Sequence, residues 1–301
     1  LIEINKIYNE SNCETIGRMD DSSINCLVTS PPYWGLRDYG VKGQLGLEKT
    51  VEEYIEKLVN IFDLFMPKLE EDGTVWVNID DTYISKEGAS QQKFRLKSLA
   101  NVPAMFQLEM CKRGWILRNE IIWRKPNAMP ESATDRFTTD YEKLYFFTKN
   151  EKYYFEQQLE PYTKPLDRWG GVELKTPPEG FNILEGNPYK SAMRNRNMRP
   201  NENGRNKRAV WDINTEACPE AHFAVYPKKL IRNCVQAGCP VGGLVYDPFM
   251  GSGTTAIVAV ELSRNYVGSE LNPDYIKISE KRIMPYINQL KLFDMQAKNS
   301  A

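Results

Sequence analysis

Histidine is nearly absent from this chain: His222 is the only one in 301 residues. The six cysteines, at positions 13, 26, 111, 218, 234 and 239, form no Cys-x-x-Cys pair. These two shortages argue against a zinc centre of the Cys/His kind. No run of 18 or more apolar residues occurs, which speaks against a membrane-spanning helix and a membrane partner. The start carries no signal-peptide pattern. Several cysteines stand inside apolar runs, as small core residues of a reducing compartment do, so a cytoplasmic location is expected. Charge of one sign is also lacking. Lys and Arg number 39 and Asp and Glu 40, for a net charge of −1, so bulk composition does not mark a nucleic-acid binder.

What is present is a hydrophobic fraction of 41% and enough length for one large domain with an insertion. Apolar runs predict strands near Ile4–Tyr8, over Ile24–Thr29, Thr74–Ile79, Trp115–Trp123, Lys143–Thr148, Leu244–Asp247 and Tyr266–Ser269. Helical spacing predicts helices over 51–69 (closed by Asp72-Gly73), 98–112, 226–238, 254–262 and 273–291. Strands alternating with helices imply a doubly wound α/β sheet, whose ligands bind outside the carboxyl ends of the strands. Between 151 and 219 the pattern degrades into prolines, glycines, asparagines and charges, which reads as an inserted region with little regular structure.

The most informative local feature is Ser30-Pro31-Pro32-Tyr33. It ends the Ile24–Thr29 strand, because prolines cannot continue a sheet ladder. The prolines leave their carbonyls free to face something other than a ladder partner, and Tyr33 and Trp34 add flat faces. Such a turn suits a planar, amine-bearing substrate. Pro-Pro-Tyr also occurs in proline-rich ligands, but those lie in polar, disordered segments, and this one abuts a hydrophobic strand. Trp34, Arg37 and Tyr39, in the glycine-rich 35–46 loop that follows, read either as a lid or as plain surface.

A second feature stands near the other end. Leu244-Val245-Tyr246-Asp247-Pro248-Phe249-Met250-Gly251-Ser252-Gly253-Thr254-Thr255 reads as strand, glycine-rich turn and helix start. Free amides at that helix start favour a negative group. No Lys follows the glycines, so this is not a Walker A loop. Gly251-x-Gly253-x-x-Ala256 fits the loose dinucleotide fingerprint, and Glu270 at the end of the next strand could grip ribose hydroxyls. This segment alone leaves NAD open as a ligand.

Local charge is less even than the total. Residues 186–210 carry Lys190, Arg194, Arg196, Arg199, Arg205, Lys207 and Arg208 against the single acid Glu202, a local net charge of +6. Five asparagines interleave them. Arg and Asn read base edges and Arg also holds phosphates, so DNA contact is preferred over a solvated loop.

Both motifs resemble those of the DNA amino-methyltransferases. Thr-Ser-Pro-Pro-Tyr-Trp is closest to the version typical of N4-cytosine enzymes, and Asp-Pro-Phe-x-Gly-Ser-Gly-Thr-Thr matches that family's S-adenosylmethionine loop. The order, with the catalytic motif first, then a recognition region and the cofactor loop last, resembles the β group of the family. The resemblance covers nearly the whole chain. It implies a Rossmann-like, circularly permuted S-adenosylmethionine methyltransferase sheet. Residues 1–150 would be its catalytic part, 151–219 a target-recognition region and 220–301 its cofactor-binding part. Ser30, Pro31, Pro32 and Tyr33 would form the catalytic turn. Asp247, Phe249, Gly251, Gly253 and Glu270 would serve the cofactor. His222 and Phe223 would join them from the lead-in to the 226–238 helix, as would Asn12, where the family commonly has Asp. Arg194, Arg196, Arg199, Arg205, Lys207 and Arg208 would contact DNA.

The implied chemistry is direct transfer from S-adenosylmethionine to an exocyclic amine. That amine is a poor nucleophile, since its lone pair is conjugated with the ring. The Ser30 hydroxyl and the Pro31 carbonyl would accept its two N–H bonds, orienting the lone pair at the methyl group. Tyr33 would stack on the base after it is flipped from the duplex. The expected partners are double-stranded DNA and, in a restriction-modification pair, a cognate endonuclease. The expected state is a monomer or homodimer. Three readings stand: an N4-cytosine enzyme, an N6-adenine enzyme, and a catalytically silent nucleotide- or DNA-binding module of the same fold.

Overall fold

Ile24–Thr29 (β2) is almost wholly buried, as a strand covered on both faces must be. From Cys26 onward its side chains alternate between two cores. Leu27 faces one cluster with Val75, Val77, Tyr145, Phe147 and Tyr246. Cys26 and Val28 face the other, with Trp76, Leu144, Phe146 and Val245. A period of two thus sorts every central strand onto a two-sided sheet.

The computed structural model describes residues 2–85, 94–162, 203–216 and 225–299. Around β2 the strands are Lys6–Tyr8 (β1), Leu69–Ile79 (β3), Ile116–Arg124 (β4), Tyr141–Thr148 (β5), Leu159–Glu160 (β6), Arg205–Asn206 (β7), Val210–Asp212 (β8), Leu244–Asp247 (β9) and Asn265–Ser269 (β10). The helices are Asn12–Gly17 (α1), Val51–Phe65 (α2), Val102–Lys112 (α3), Lys228–Gly238 (α4), Thr254–Glu261 (α5) and Pro273–Asn299 (α6). Eight strands form one sheet in the order β1-β10-β9-β2-β3-β5-β4-β8. Five of them, β1, β10, β9, β2 and β3, run parallel, and β5 is antiparallel to both of its neighbours. Helices α1, α2 and α3 cover the Leu27 face, and α4, α5 and α6 cover the Cys26 face.

From β9 the chain passes through α5 outward to β10, whereas from β2 it passes through α2 outward to β3 on the other side. The winding reverses between β9 and β2, and a crevice opens at the carboxyl ends of these two strands. The glycine turn that usually begins such a sheet follows β9, late in the chain, as the permuted order requires.

Several local expectations are corrected. Helix α2 ends at Phe65 rather than 69, because the Lys68 carbonyl accepts from Ser23 and Ile24 and draws the chain into β3. Asp72-Gly73 does not close that helix. It lies within β3, where the pairing with β2 shifts register between Ile24 and Cys26. Helix α3 starts at 102 rather than 98, since Asn101 has φ 61° and Pro103 follows. The Asp81 carboxylate caps it by accepting from the Val102 amide at 3.1 Å. The turn expected after β1 contains α1, which carries a capping box between Ser11 and Glu14. The signal, Ser-x-x-Glu, stood in the sequence.

The chain divides into two compact units, one of residues 1–156 and 209–301 and one of 157–208. The second is narrower than the expected 151–219 insertion. Residues 209–216 belong to the first unit because β8 pairs with β4, and Arg124 grips Asp212 with two bonds of 2.7 Å. Within the second unit, β6 and β7 form a two-stranded ladder. Among the described residues, no helix is long and apolar enough to cross a membrane.

Candidate active site

Two turns at the carboxyl edge make the site, and one buried hydrogen bond joins them. Thr29, the last residue of β2, donates to the Asp247 carboxylate of β9 at 2.7 Å. Ser30 follows the first of these residues and the glycine turn follows the second.

Asp247 is fully buried. Its Oδ1 accepts from Thr29 and from the Phe249 amide at 3.0 Å. Its Oδ2 accepts from Tyr226 at 2.8 Å and from Thr255 at 2.6 Å. Burial pushes its carboxyl up, and the four donors oppose that shift. Asp247 therefore holds the turn in shape from beneath; its side chain has no exposed surface for a ligand. The two glycines differ. Gly253, at φ 82°, is buried, and a Cβ there would stand 2.7 Å from the Ser279 Cβ on α6. Its smallness serves helix packing. Gly251, at φ 54°, is half-buried, with only the Phe249 carbonyl, at 3.9 Å, within 4 Å of a Cβ built there. Phe249 is half-buried and packs against the core of the Leu27 face.

Glu270, at the end of β10, accepts from the Gly251 amide and from the Asn272 amide, each at 2.8 Å. Burial raises its pKa, chiefly by desolvation. The carboxylate is thus fixed against the glycine turn. Asn12, the first residue of α1, is buried. Residues 217–224, which include His222 and Phe223, lie outside the described residues. So do Arg194, Arg196 and Arg199.

Sequence reasoning missed Arg282. From α6 it donates to the Ser252 carbonyl at 2.5 Å and to the Ser252 hydroxyl at 2.6 Å, clamping the turn from outside. No spacing rule links position 282 to 252; only the packing of α6 does.

On the β2 side the prolines are not equivalent. The Pro32 carbonyl accepts from the Tyr54 hydroxyl of α2 at 2.8 Å, so the expectation that both carbonyls stand free is corrected. Among the described residues no group donates to the Pro31 carbonyl. The Tyr33 hydroxyl donates toward Glu142 Oε2 at 2.7 Å and the Asn78 side-chain Oδ1 at 3.3 Å, and Ser30 donates to Tyr33 at 3.1 Å. Lys125 pairs with the other Glu142 oxygen at 2.5 Å. Asp80, at the end of β3, is pushed up to about 7 by burial and by the neighbouring Glu142. Glu142, Lys125 and Asn78 were invisible to motif reading because they come from the ends of β5, β4 and β3.

The loop after the Ser30-Pro31-Pro32-Tyr33 turn splits. Trp34 is buried, with its indole N–H on the Glu48 carbonyl at 2.9 Å, and anchors the loop rather than covering the site. Tyr39 lies close enough to Arg37 and Glu270 to feel both charges. A cleft of about 580 Å³ opens between this loop and residues 82–85, lined by Arg37, Glu48 and Tyr83 among others. Ser30 and Glu270 do not line it.

In the second unit Arg205 and Arg208 both pair with Glu160, at 2.9 and 2.7 Å. The basic run is therefore partly neutralised by an acid 45 residues upstream of Arg205, which a count within 186–210 cannot register.

Comparison with known proteins agrees with this geometry. The model of a DNA methylase family, N6_N4_Mtase, matches residues 24–281. The Type II methyltransferase M.Cfr9I of Citrobacter freundii is 37% identical over 284 residues, covering 88% of this chain and 83% of that protein. M.SmaI of Serratia marcescens, also a Type II methyltransferase, is 37% identical over 289 residues, covering 90% and 88%. Among solved structures, the cytosine-N4-specific PvuII DNA methyltransferase superposes with a TM-score of 0.64 at 18% identity, covering 94% of this chain and 91% of that one. A Thermus thermophilus protein described as a putative DNA modification methylase, crystallised with S-adenosyl-L-methionine, gives a TM-score of 0.61 at 22% identity over 93% of each chain. At these identities the two structures speak for the fold.

Proposed function

This chain belongs to the N6/N4 family of DNA methylases, and we propose that it transfers the methyl group of S-adenosylmethionine to cytosine N4 in duplex DNA. The observation that carries the reading is the 2.7 Å bond between Thr29 and Asp247, which holds the Ser30 turn and the glycine turn as one site. Two curated relatives at 37% identity are Type II methyltransferases, which supports restriction-modification as the setting and a cognate endonuclease as partner.

S-adenosylmethionine, when bound, supplies an electrophilic methyl on a sulfonium. Glu270 and the Gly251 turn would hold it, Phe249 would pack beside it, and Asp247 would serve it only by shaping the turn. Ser30 and the Pro31 carbonyl accept the two amine N–H groups of the flipped base, and Tyr33 stacks on it. The neutral Ser30 hydroxyl favours cytosine, since adenine enzymes more often carry Asp at this place. The inserted region, whose compact unit spans 157–208, reads the DNA sequence. Arg194, Arg196, Arg199, Arg205, Lys207 and Arg208 neutralise phosphates within it, with Glu160 beside Arg205 and Arg208.

The test is incubation with labelled S-adenosylmethionine and unmodified duplex DNA, digestion to nucleosides and mass spectrometry. N4-methylcytosine is expected. N6-methyladenine alone would replace the cytosine reading with its runner-up, and no label in either base would leave the silent DNA-binding module.

A further inference from the structure

The hydroxyl of Ser30 can help an amine only if it presents lone pairs. A hydroxyl free to rotate would offer its proton as often. Three hydrogen bonds fix that choice. The Tyr33 hydroxyl has one proton, and two acceptor atoms converge on it: Glu142 Oε2 at 2.7 Å and Asn78 Oδ1 at 3.3 Å. Asn78 cannot turn its amide N–H toward Tyr33 without losing its bond to the Lys143 carbonyl at 3.2 Å. The tyrosine proton therefore goes to one of these two acceptors, of which Glu142 is the nearer and the charged one, and the phenolic oxygen is left as an acceptor. Ser30 donates into it at 3.1 Å. Its single proton is thereby used, and only lone pairs face the site.

We propose that Glu142, held by Lys125, is a positioning residue that sets the direction of the Tyr33–Ser30 hydrogen-bond chain and so makes Ser30 an obligate acceptor for the target amine. The inference rests on the methyl-transfer reading of the same site. The pair is shielded enough to hold its geometry: the Lys125 and Glu142 side chains are 17% and 11% exposed. Lys125 donates only, so it fixes which Glu142 oxygen remains for Tyr33. Burial and the Glu142 charge both push the Tyr33 phenol well above its ordinary range, so the chain keeps its proton at neutral pH.

The geometry gives a nearly isosteric test. In Glu142→Gln the ammonium of Lys125 holds the amide oxygen, so the amide NH₂ turns to Tyr33 and donates. The Tyr33 proton is then left with Ser30 at 3.1 Å and Asn78 Oδ1 at 3.3 Å as acceptors, and whenever it takes the shorter bond the Ser30 proton points at the amine. Single-turnover transfer from labelled S-adenosylmethionine to unmodified genomic duplex DNA should fall about tenfold, less than for an oriented group removed outright because Asn78 still competes for the Tyr33 proton. Cofactor affinity by calorimetry and the melting temperature should stay near wild type. In a Tyr33→Phe background the chain is already cut, so adding Glu142→Gln should change the rate by less than about twofold.

Wild-type transfer, measured beside the variants, tests the function on its own. An active wild type with an equally active Glu142→Gln variant overturns the relay and leaves the function standing. A drop of the same size in the Tyr33→Phe background also overturns it, because Glu142 would then act by another route.

Discussion

The two turns at the carboxyl edge are built on opposite plans. The turn after β9 closes on a buried carboxylate: four donors from β2, the turn itself, the start of α5 and the approach to α4 meet at Asp247. The turn after β2 is a chain, in which Lys125, Glu142, Tyr33 and Ser30 pass one direction along from the sheet to the site. A closed node gives rigidity, since every lone pair of the acceptor has a fixed partner. A chain gives polarity, since each hydroxyl takes its donor direction from the next. The first suits a ligand that must be held and the second a group whose lone pair must be aimed.

The contrast breaks most visibly at Asp247. Replacing it with Ala leaves three buried hydroxyls and an amide without their acceptor. Stability should fall by about 3 kcal/mol or more, the scale of losing a buried, multiply bonded charge. Urea denaturation measures this, and cofactor binding should disappear with it. Asp247→Asn should recover only part, because an amide NH₂ would face a donor. If either variant unfolds at the wild-type midpoint, the node does not support the turn.

Ser30→Ala should do the reverse. It removes the last link of a chain that stabilises little, so the urea midpoint should barely move. Transfer should slow by about 10²-fold, the effect of one oriented hydrogen-bonding group. Cofactor affinity should be unchanged. A fully active variant would leave the Pro31 carbonyl and Tyr33 to position the amine without Ser30.

Glu270 stands at the edge of the node and tests whether the held ligand is the one proposed. Glu270→Ala should weaken S-adenosylmethionine binding by about 1–3 kcal/mol, the range for a lost charged hydrogen-bond partner. Calorimetry that finds tight NAD binding in the parent chain, and none for S-adenosylmethionine, would overturn the assignment.

The two plans also differ in how much of them the sequence reveals. The node is largely legible. Asp247, the glycines and the following helix are contiguous, and strand-end logic places Glu270 beside them. The chain is half legible. Ser30 and Tyr33 announce themselves, while Glu142, Lys125 and Asn78 come from three strands paired across the sheet. Their arrival depends on the register Asn78↔Leu144 and Ile122↔Lys143, which no local pattern encodes. Arg282 is hidden in the same way, 30 residues from the Ser252 it clamps. The helix-boundary errors have another cause: tertiary bonds, such as those capturing the Lys68 carbonyl, decide where α2 stops. A sequence window of one element cannot contain them.

The last test concerns Asp80, which lies beside the chain without joining it. Its carboxyl accepts from the Asp81 amide at 2.8 Å, yet burial and the Glu142 charge raise its pKa from 3.8 to about 7. The folded protein therefore holds this proton more tightly than the unfolded chain does. Between about pH 4 and pH 7 the unfolded state releases it while the folded state keeps it, so this group lowers stability as pH rises through that window. The folded protein carries the full penalty above about pH 7 and none well below about pH 4. Asp80→Asn keeps the shape and removes the titration. Its stability relative to the parent should improve by about 3 kcal/mol as pH is raised from about 4.5 to about 7.5, read from urea midpoints at each pH. A difference between variant and parent that does not change with pH would mean that Asp80 is as well solvated folded as unfolded. The side of the site built on β2 and β3 would then contain one uncompensated carboxylate fewer than the burial of Asp80 beside Glu142 implies.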